Sequence, residues 1–131
     1  MTTIECRIYE AGHCRHPECA TRRGAPFSPI AYPALAFLLR HPQRGAILFD
    51  TGYSEHFLEA TRRLPERLYR MLTPMHLRAG ESLQAQLQRD GLAPSEIGHV
   101  VLSHLHGDHI GGARDFPGAA LICSRAAWED M

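Results

Sequence analysis

Lysine is absent from this sequence; all fourteen basic residues are arginine. No lysine nucleophile, Schiff base or Walker-type phosphate lysine can therefore be built anywhere in the chain. Neither sign of charge is in excess, because fourteen Asp and Glu balance the fourteen Arg. That balance disfavours a strongly basic nucleic-acid binder and an acidic solvating tail. Long apolar runs are missing too. The longest, around Ala34 to Leu39, is far too short to cross a bilayer. Met1 to Arg7 lacks the basic start and apolar core of a signal peptide, so a cytoplasmic protein without a membrane contact is expected. In that compartment the four cysteines, Cys6, Cys14, Cys19 and Cys123, are expected as free thiols rather than a disulfide framework.

What is present is a globular composition. The chain has 131 residues, 44% hydrophobic and 21% charged, enough for one domain over 1–131 with its own core. Ile4, Cys6 and Ile8 alternate with polar residues, which predicts a strand from Thr3 to Tyr9. Three prolines and two glycines between Gly12 and Pro29 predict a loop. The apolar runs Ala34–Leu39 and Ala46–Phe49 flank His41-Pro42-Gln43-Arg44-Gly45 and read as a hairpin. Ser54 is placed as an N-cap. Phe57, Thr61, Leu64, Leu68 and Met71 follow at helical spacing, with Glu59/Arg63 and Glu66/Arg70 as i,i+4 ion pairs, and Phe57, Leu64, Leu68, Tyr69 and Met71 are expected as core. Pro65 must kink that helix or split it. A further helix is expected from Glu81 to Asp90, short strands at His99–Leu102 and Ala119–Cys123, and a last helix from Arg125 to Met131 capped by Ser124. Strands and helices in this order give an α/β arrangement.

Nine histidines are many for this length. Four potential metal ligands fall within Ser103-His104-Leu105-His106-Gly107-Asp108-His109-Ile110-Gly111-Gly112: His104, His106, Asp108 and His109. A buried strand leads into them, and the C-terminal edge of such a strand is where α/β folds build sites. His104 and His106, two apart in extended chain, project to one side and suit one ion. Asp108 and His109 lie where the chain turns and suit a second. Imidazoles with a carboxylate, and no cysteine, favour a catalytic over a structural zinc. A pair of adjacent ions supports hydrolysis of a carbonyl compound. The Gly-Gly pair allows close backbone approach.

This segment resembles the metallo-β-lactamase superfamily, whose His-x-His-x-Asp-His motif is present as His104, His106, Asp108 and His109. The superfamily's earlier Asp at a strand end matches Asp50 in Phe49-Asp50-Thr51-Gly52. The resemblance implies an α/β fold, the N-terminal half of an αβ/βα four-layer sandwich, with two Zn2+ ions per complete site and Fe2+ or Mn2+ as alternatives. It implies that His104 and His106 belong to the first metal site, Asp108 and His109 to the second. It implies that Asp108 also steers protons as a catalytic residue. Asp50 would hydrogen-bond the metal loop rather than bind metal. Ile47-Leu48-Phe49-Asp50-Thr51-Gly52-Tyr53 looks like the lactonase-type branch, close to acyl-homoserine lactonases, so the expected substrate is a small ester or lactone. Family members continue with another His, a bridging Asp and a final His. No His follows His109 here. The chain therefore looks like the N-terminal part alone, its exposed face apolar and prone to homo-oligomerisation, its hydrolase activity near background. The alternatives are a non-catalytic fragment that binds metal weakly, an acylglutathione thioesterase and an iron oxygenase of the same fold.

The remaining candidates read more plainly. His13-Cys14-Arg15-His16-Pro17-Glu18-Cys19 lacks the second half of a zinc knuckle and is expected as a loop, with Cys14 or His16 near the substrate by analogy. His41, His56 and His76 are expected to face solvent, His99 to be structural and Trp128 to pack.

Overall fold

The computed structural model describes residues 3–129. Six strands form one sheet in the order β4-β1-β2-β3-β5-β6. They are β1 (Glu5–Pro17), β2 (Pro29–His41), β3 (Gly45–Phe49), β4 (Met75–His76), β5 (Ile97–Val101) and β6 (Ala120–Ile122). The helices are α1 (Glu55–Ala60), α2 (Glu66–Leu72), α3 (Leu83–Arg89), α4 (Gly107–Ile110) and α5 (Arg125–Glu129). Strands β4, β1, β2 and β3 pair antiparallel, while β5 and β6 run parallel to β3. The parallel step from β3 to β5 needs a long crossover, and α1 to α3 fill it. This is the α/β class expected from the order of patterns. The expected end of the last helix, at Asp130 and Met131, lies outside the described residues.

The pleat sorts side chains to two unequal faces. Leu38, Leu48 and Val100 lie side by side across β2, β3 and β5, each 2% exposed or less. Leu83 and Leu87 of α3 cover them, together with Leu92, Leu102 and Phe116. The opposite face carries the row Ile8, Phe37, Phe49, Val101 and Ile122, one residue from each of five adjacent strands. Ile8 remains 60% exposed and Ile122 45%. The helices thus cover one side of the sheet and leave an apolar row on the other.

The expected loop from Gly12 to Pro29 is confined to residues 18–28, with strand on both sides. Strand β1 continues to Pro17 and pairs His13–Pro17 with Pro29–Pro33. The register shifts between Glu10 and His13, where Gly12 takes φ +80°. A bulge there lets the strand bend and carry on. Strand β3 pairs only with Phe37–His41, so Pro29 and Pro33 sit on a stretch of β2 with a free outer edge. A missing N–H costs nothing at such an edge. The first strand begins at Glu5 rather than Thr3, and β4 carried no sequence pattern long enough to mark it.

Pro65 does split the expected helix, into α1 and α2. Of the residues expected as core, Phe57 packs against the buried cluster of Cys14, Ala34 and Tyr53, whereas Leu64 and Met71 are each 68% exposed, Leu68 53% and Tyr69 38%. Glu59 meets Arg62 at 3.6 Å instead of Arg63, because Thr61 already caps the helix and Arg63 lies beyond it. Arg70 turns from Glu66 to the Leu58 carbonyl oxygen at 3.2 Å. Trp128 is 64% exposed rather than packed.

Three of the other histidines have partners that sequence could not show. His41 Nδ1 accepts the Gln43 and Arg44 N–H groups and closes the β2–β3 turn. His76 stacks on His13 with ring centroids 5.1 Å apart. His56 Nε2 lies 3.2 Å from the buried carboxylate of Asp115. His99 sits inside β5, partly buried, with Nδ1 unpartnered among the described residues. The cysteines are free thiols, as expected. Among the described residues no helix is long and apolar enough to cross a membrane.

Candidate metal centre

Strand β5 ends at Val101, and the chain then runs out at the sheet's C-terminal edge as Ser103 to His106 before α4 begins. This brings His104, His106, Asp108 and His109 close together. His104 Nε2 is 3.1 Å from His106 Nδ1, and His109 Nε2 is 3.2 Å from Asp108 Oδ2. The His104 and His109 rings are 3.9 Å apart between centroids. The four side chains named from the sequence are brought together. They form two close pairs, and among the described residues no group of three His, Cys, Asp or Glu is arranged to hold an ion.

Asp50 organises the cluster from below. It is 3% exposed and sits at φ 60°, a left-handed conformation that Asp tolerates better than most residues. Its carboxylate accepts the Ser103 N–H at 2.8 Å and the Ser103 hydroxyl at 2.7 Å. His109 Nδ1 lies 2.7 Å from Asp50 Oδ2. His104 Nδ1 lies 3.0 Å from Ser103 Oγ, whose own proton is committed to Asp50. Both histidines thus donate from Nδ1, which leaves Nε2 as the free acceptor. Burial holds the His104 imidazole below its usual basicity, and nearby His109 and His106 lower it further. A neutral imidazole is the form that binds metal.

Several residues of the site have no motif signature. Thr51 donates its hydroxyl to the His109 carbonyl at 2.7 Å and accepts the Gly112 N–H at 3.0 Å. Ser54 caps α1 and also donates to the Gly111 carbonyl at 2.8 Å. Thr51 and Ser54 are fully buried. The signal was the polar run from Asp50 to Ser54 immediately after an apolar strand. Glycine is required at Gly107, where a Cβ would stand 2.6 Å from the Phe57 ring, and at Gly112, where it would stand 2.9 Å from the Thr51 carbonyl.

Beside the loop opens a cleft of about 420 Å³, lined by His106 and Asp108 on one side and by Cys14, His16, Tyr53 and Tyr69 on the other. Cys14 and His16 reach it from β1, where the long strand replaces the expected loop. Burial pushes the Cys14 thiol upward, so it stays protonated at neutral pH. Tyr53 meets Phe57 at a tilt of 50° with centroids 5.4 Å apart, and Phe57 meets Tyr69 edge-on at 6.0 Å. Tyr69, expected as core, instead lines the cleft, while Phe57 packs behind Tyr53 and against the underside of the loop at Gly107.

A family model described as the metallo-beta-lactamase superfamily matches residues 30–131. A probable metallo-hydrolase of Mycobacterium tuberculosis is 38% identical over 113 residues, covering 85% of this chain and 34% of that protein. An N-acyl homoserine lactonase of Bacillus cereus is 27% identical over 98% of this chain and 52% of its own length. Among solved structures, an N-acyl homoserine lactone hydrolase with N-hexanoyl-L-homoserine bound at its catalytic metal centre superposes with a TM-score of 0.80 at 25% identity, over 98% of this chain and 52% of that one. The chain therefore spans about half, or less, of the length of these relatives. The histidine-rich loop at the sheet edge, its position below a cleft and the sequence match over most of the chain agree. The chain belongs to the metallo-beta-lactamase superfamily.

Proposed function

We propose that this chain carries the metal-loop half of a hydrolase that opens a small lactone or ester. The observation that supports this most is the Asp50–Ser103–His109 network, which anchors His104 and His109 through Nδ1 and leaves their Nε2 atoms facing His106 and Asp108 respectively, beside a cleft partly walled by Tyr53 and Tyr69. Zinc–nitrogen bonds of about 2.0–2.1 Å at tetrahedral angles put two donor atoms about 3.3 Å apart. The 3.1 Å and 3.2 Å spacings in the two pairs are close to that. His104 and His106 would hold a first zinc, Asp108 and His109 a second. Zinc bound there would supply Lewis acidity toward an ester carbonyl and would make a water a stronger acid. Asp108, on the cleft wall, takes up or returns the proton released in the reaction. Tyr53 and Tyr69, backed by Phe57, hold the apolar part of the substrate and exclude water. The lactonase relatives make an acyl-homoserine lactone the first substrate to try.

Two donors per ion fall short of the three that a catalytic zinc usually has. The absence of a three-ligand group among the described residues favours a second reading, a weak metal-binding module without turnover. One experiment separates them. The 131-residue chain and its His106→Ala and Asp50→Ala variants are titrated with zinc and assayed on an acyl-homoserine lactone. We expect weak zinc binding that is lost in His106→Ala, about 10–100-fold weaker binding in Asp50→Ala, and turnover near background. Robust turnover that disappears in His106→Ala would establish a complete site and overturn the weak module. Zinc binding indifferent to both substitutions would overturn the assignment of the loop.

A further inference from the structure

A second cleft, of about 450 Å³, lies on the other side of β1 from the metal loop. Successive residues of a strand face opposite ways. Cys14 and His16 border the metal-loop cleft, while His13 and Arg15 border this one. Arg78 joins them from just after β4 and Arg70 from α2. No Asp or Glu lines the cleft. Among the described residues no carboxylate lies within ion-pair distance of Arg15, Arg70 or Arg78. The nearest acidic contact is from Glu81, which accepts the backbone N–H of Arg78 and not its guanidinium. Arg70 is held toward the cleft by its bond to the Leu58 carbonyl, whereas Arg15, which lines the cleft, bonds the Pro29 carbonyl on β2 at 3.3 Å.

Three unpaired guanidiniums around one concavity are unexpected in a chain whose formal charge is zero. Such a group repels itself unless an anion is present. The basic surface also continues past Arg70 into a neighbouring hollow lined by Arg62 and Arg67. Guanidinium forks match phosphate oxygens two at a time. The stacked His13 and His76 rings add N–H donors. Leu58, Met75 and Leu77 give the same cleft an apolar wall, which a bare inorganic ion would leave unused.

We propose that this cleft binds an organic phosphate monoester, its phosphate on Arg15, Arg70 and Arg78 and its organic part against Leu58, Met75 and Leu77. The site is separate from the metal loop and shares strand β1 and helix α2 with the cleft beside it.

The test is calorimetric titration of the zinc-free 131-residue chain with phenyl phosphate and, separately, inorganic phosphate, at constant ionic strength in chloride. Saturable binding of phenyl phosphate is expected, tighter than that of inorganic phosphate and at least tenfold weaker in Arg70→Glu and in Arg78→Glu. Among the described residues the Arg78 side chain makes no hydrogen bond, so its variant guards against a folding defect in Arg70→Glu. Binding retained in both variants would overturn the site. So would heat that merely tracks ionic strength, or affinity lost in His106→Ala but kept in the arginine variants. Equal affinity for the two ligands would overturn the role given to the apolar wall.

Discussion

Asp115 illustrates how much one side chain's surroundings decide. Its side chain is 2% exposed, its Oδ1 has only His56 as partner, and its Oδ2 has none among the described residues. Burial pushes its carboxyl up from 3.8 to about 6, against the pull of His56 and with a push from Glu55. The folded state therefore holds this proton more tightly than the unfolded chain does. Between about pH 4 and 6 stability falls as pH rises, and above that window the charged form costs of order 2–3 kcal/mol. In urea unfolding measured across this window, Asp115→Asn should flatten the fall relative to the parent chain. Parallel profiles for the two would refute the account. Nothing in the sequence around Ala113-Arg114-Asp115 announces this, because the cost comes from neighbours that are distant along the chain. The four metal-loop side chains are the opposite case. They lie within six residues, so their proximity is local and legible.

At the level of elements, the loop between β3 and α1 carries the support for the metal loop. Ser54 is the clearest instance. Its spacing before Glu55 and Phe57 identified a helix cap, and it is one, although the bond to Phe57 N–H is long at 3.4 Å. Its stronger bond goes to Gly111, 57 residues away, and is buried. Ser54→Ala would leave a buried carbonyl without its donor, at a cost of about 1–3 kcal/mol. Chemical denaturation should show that loss, together with faster amide exchange at Gly111 and Gly112 from loosening of α4. A change under half that size would mean that the cap and the clamp are redundant. The hairpin β2–β3 was readable from two apolar runs and a turn. The outer half of β1–β2 was not. Proline and glycine argue for a loop only when the N–H they remove or the bend they permit is unwelcome, and at a bulge beside a free edge neither is. Helical spacing in α1 and α2 was read correctly as helix but, apart from Phe57, wrongly as core. Periodicity reports which residues share a face and not what that face meets.

Across the whole molecule the decisive feature is the difference between the two sides of the sheet. Helix α3 and the segments around Leu92 and Phe116 bury one side, while Ile8, Phe37, Phe49, Val101 and Ile122 stay in water to differing degrees on the other. Apolar surface of this extent drives association. In a sedimentation dilution series the 131-residue chain should self-associate. The double variant Ile8→Lys, Ile122→Lys should shift it toward monomer without loss of helical or sheet signal. A parent chain that stays monomeric throughout the series would contradict this reading.

The superfamily, the α/β class and the clustering of His104, His106, Asp108 and His109 were all legible in residue order, because each rests on local spacing, on strand and helix periods or on a compact motif. Asp50 could be placed by its strand end. Its grip on Ser103 and His109, more than 50 residues on, appears only when β3 and β5 lie side by side in parallel. The paired spacing of the ligands, the aromatic wall of one cleft and the arginines of the other likewise depend on segments that meet only through the sheet. A sequence pattern records which way a side chain points along its own element. Which partner it meets is set by packing between elements, and that is a property of the folded chain as a whole.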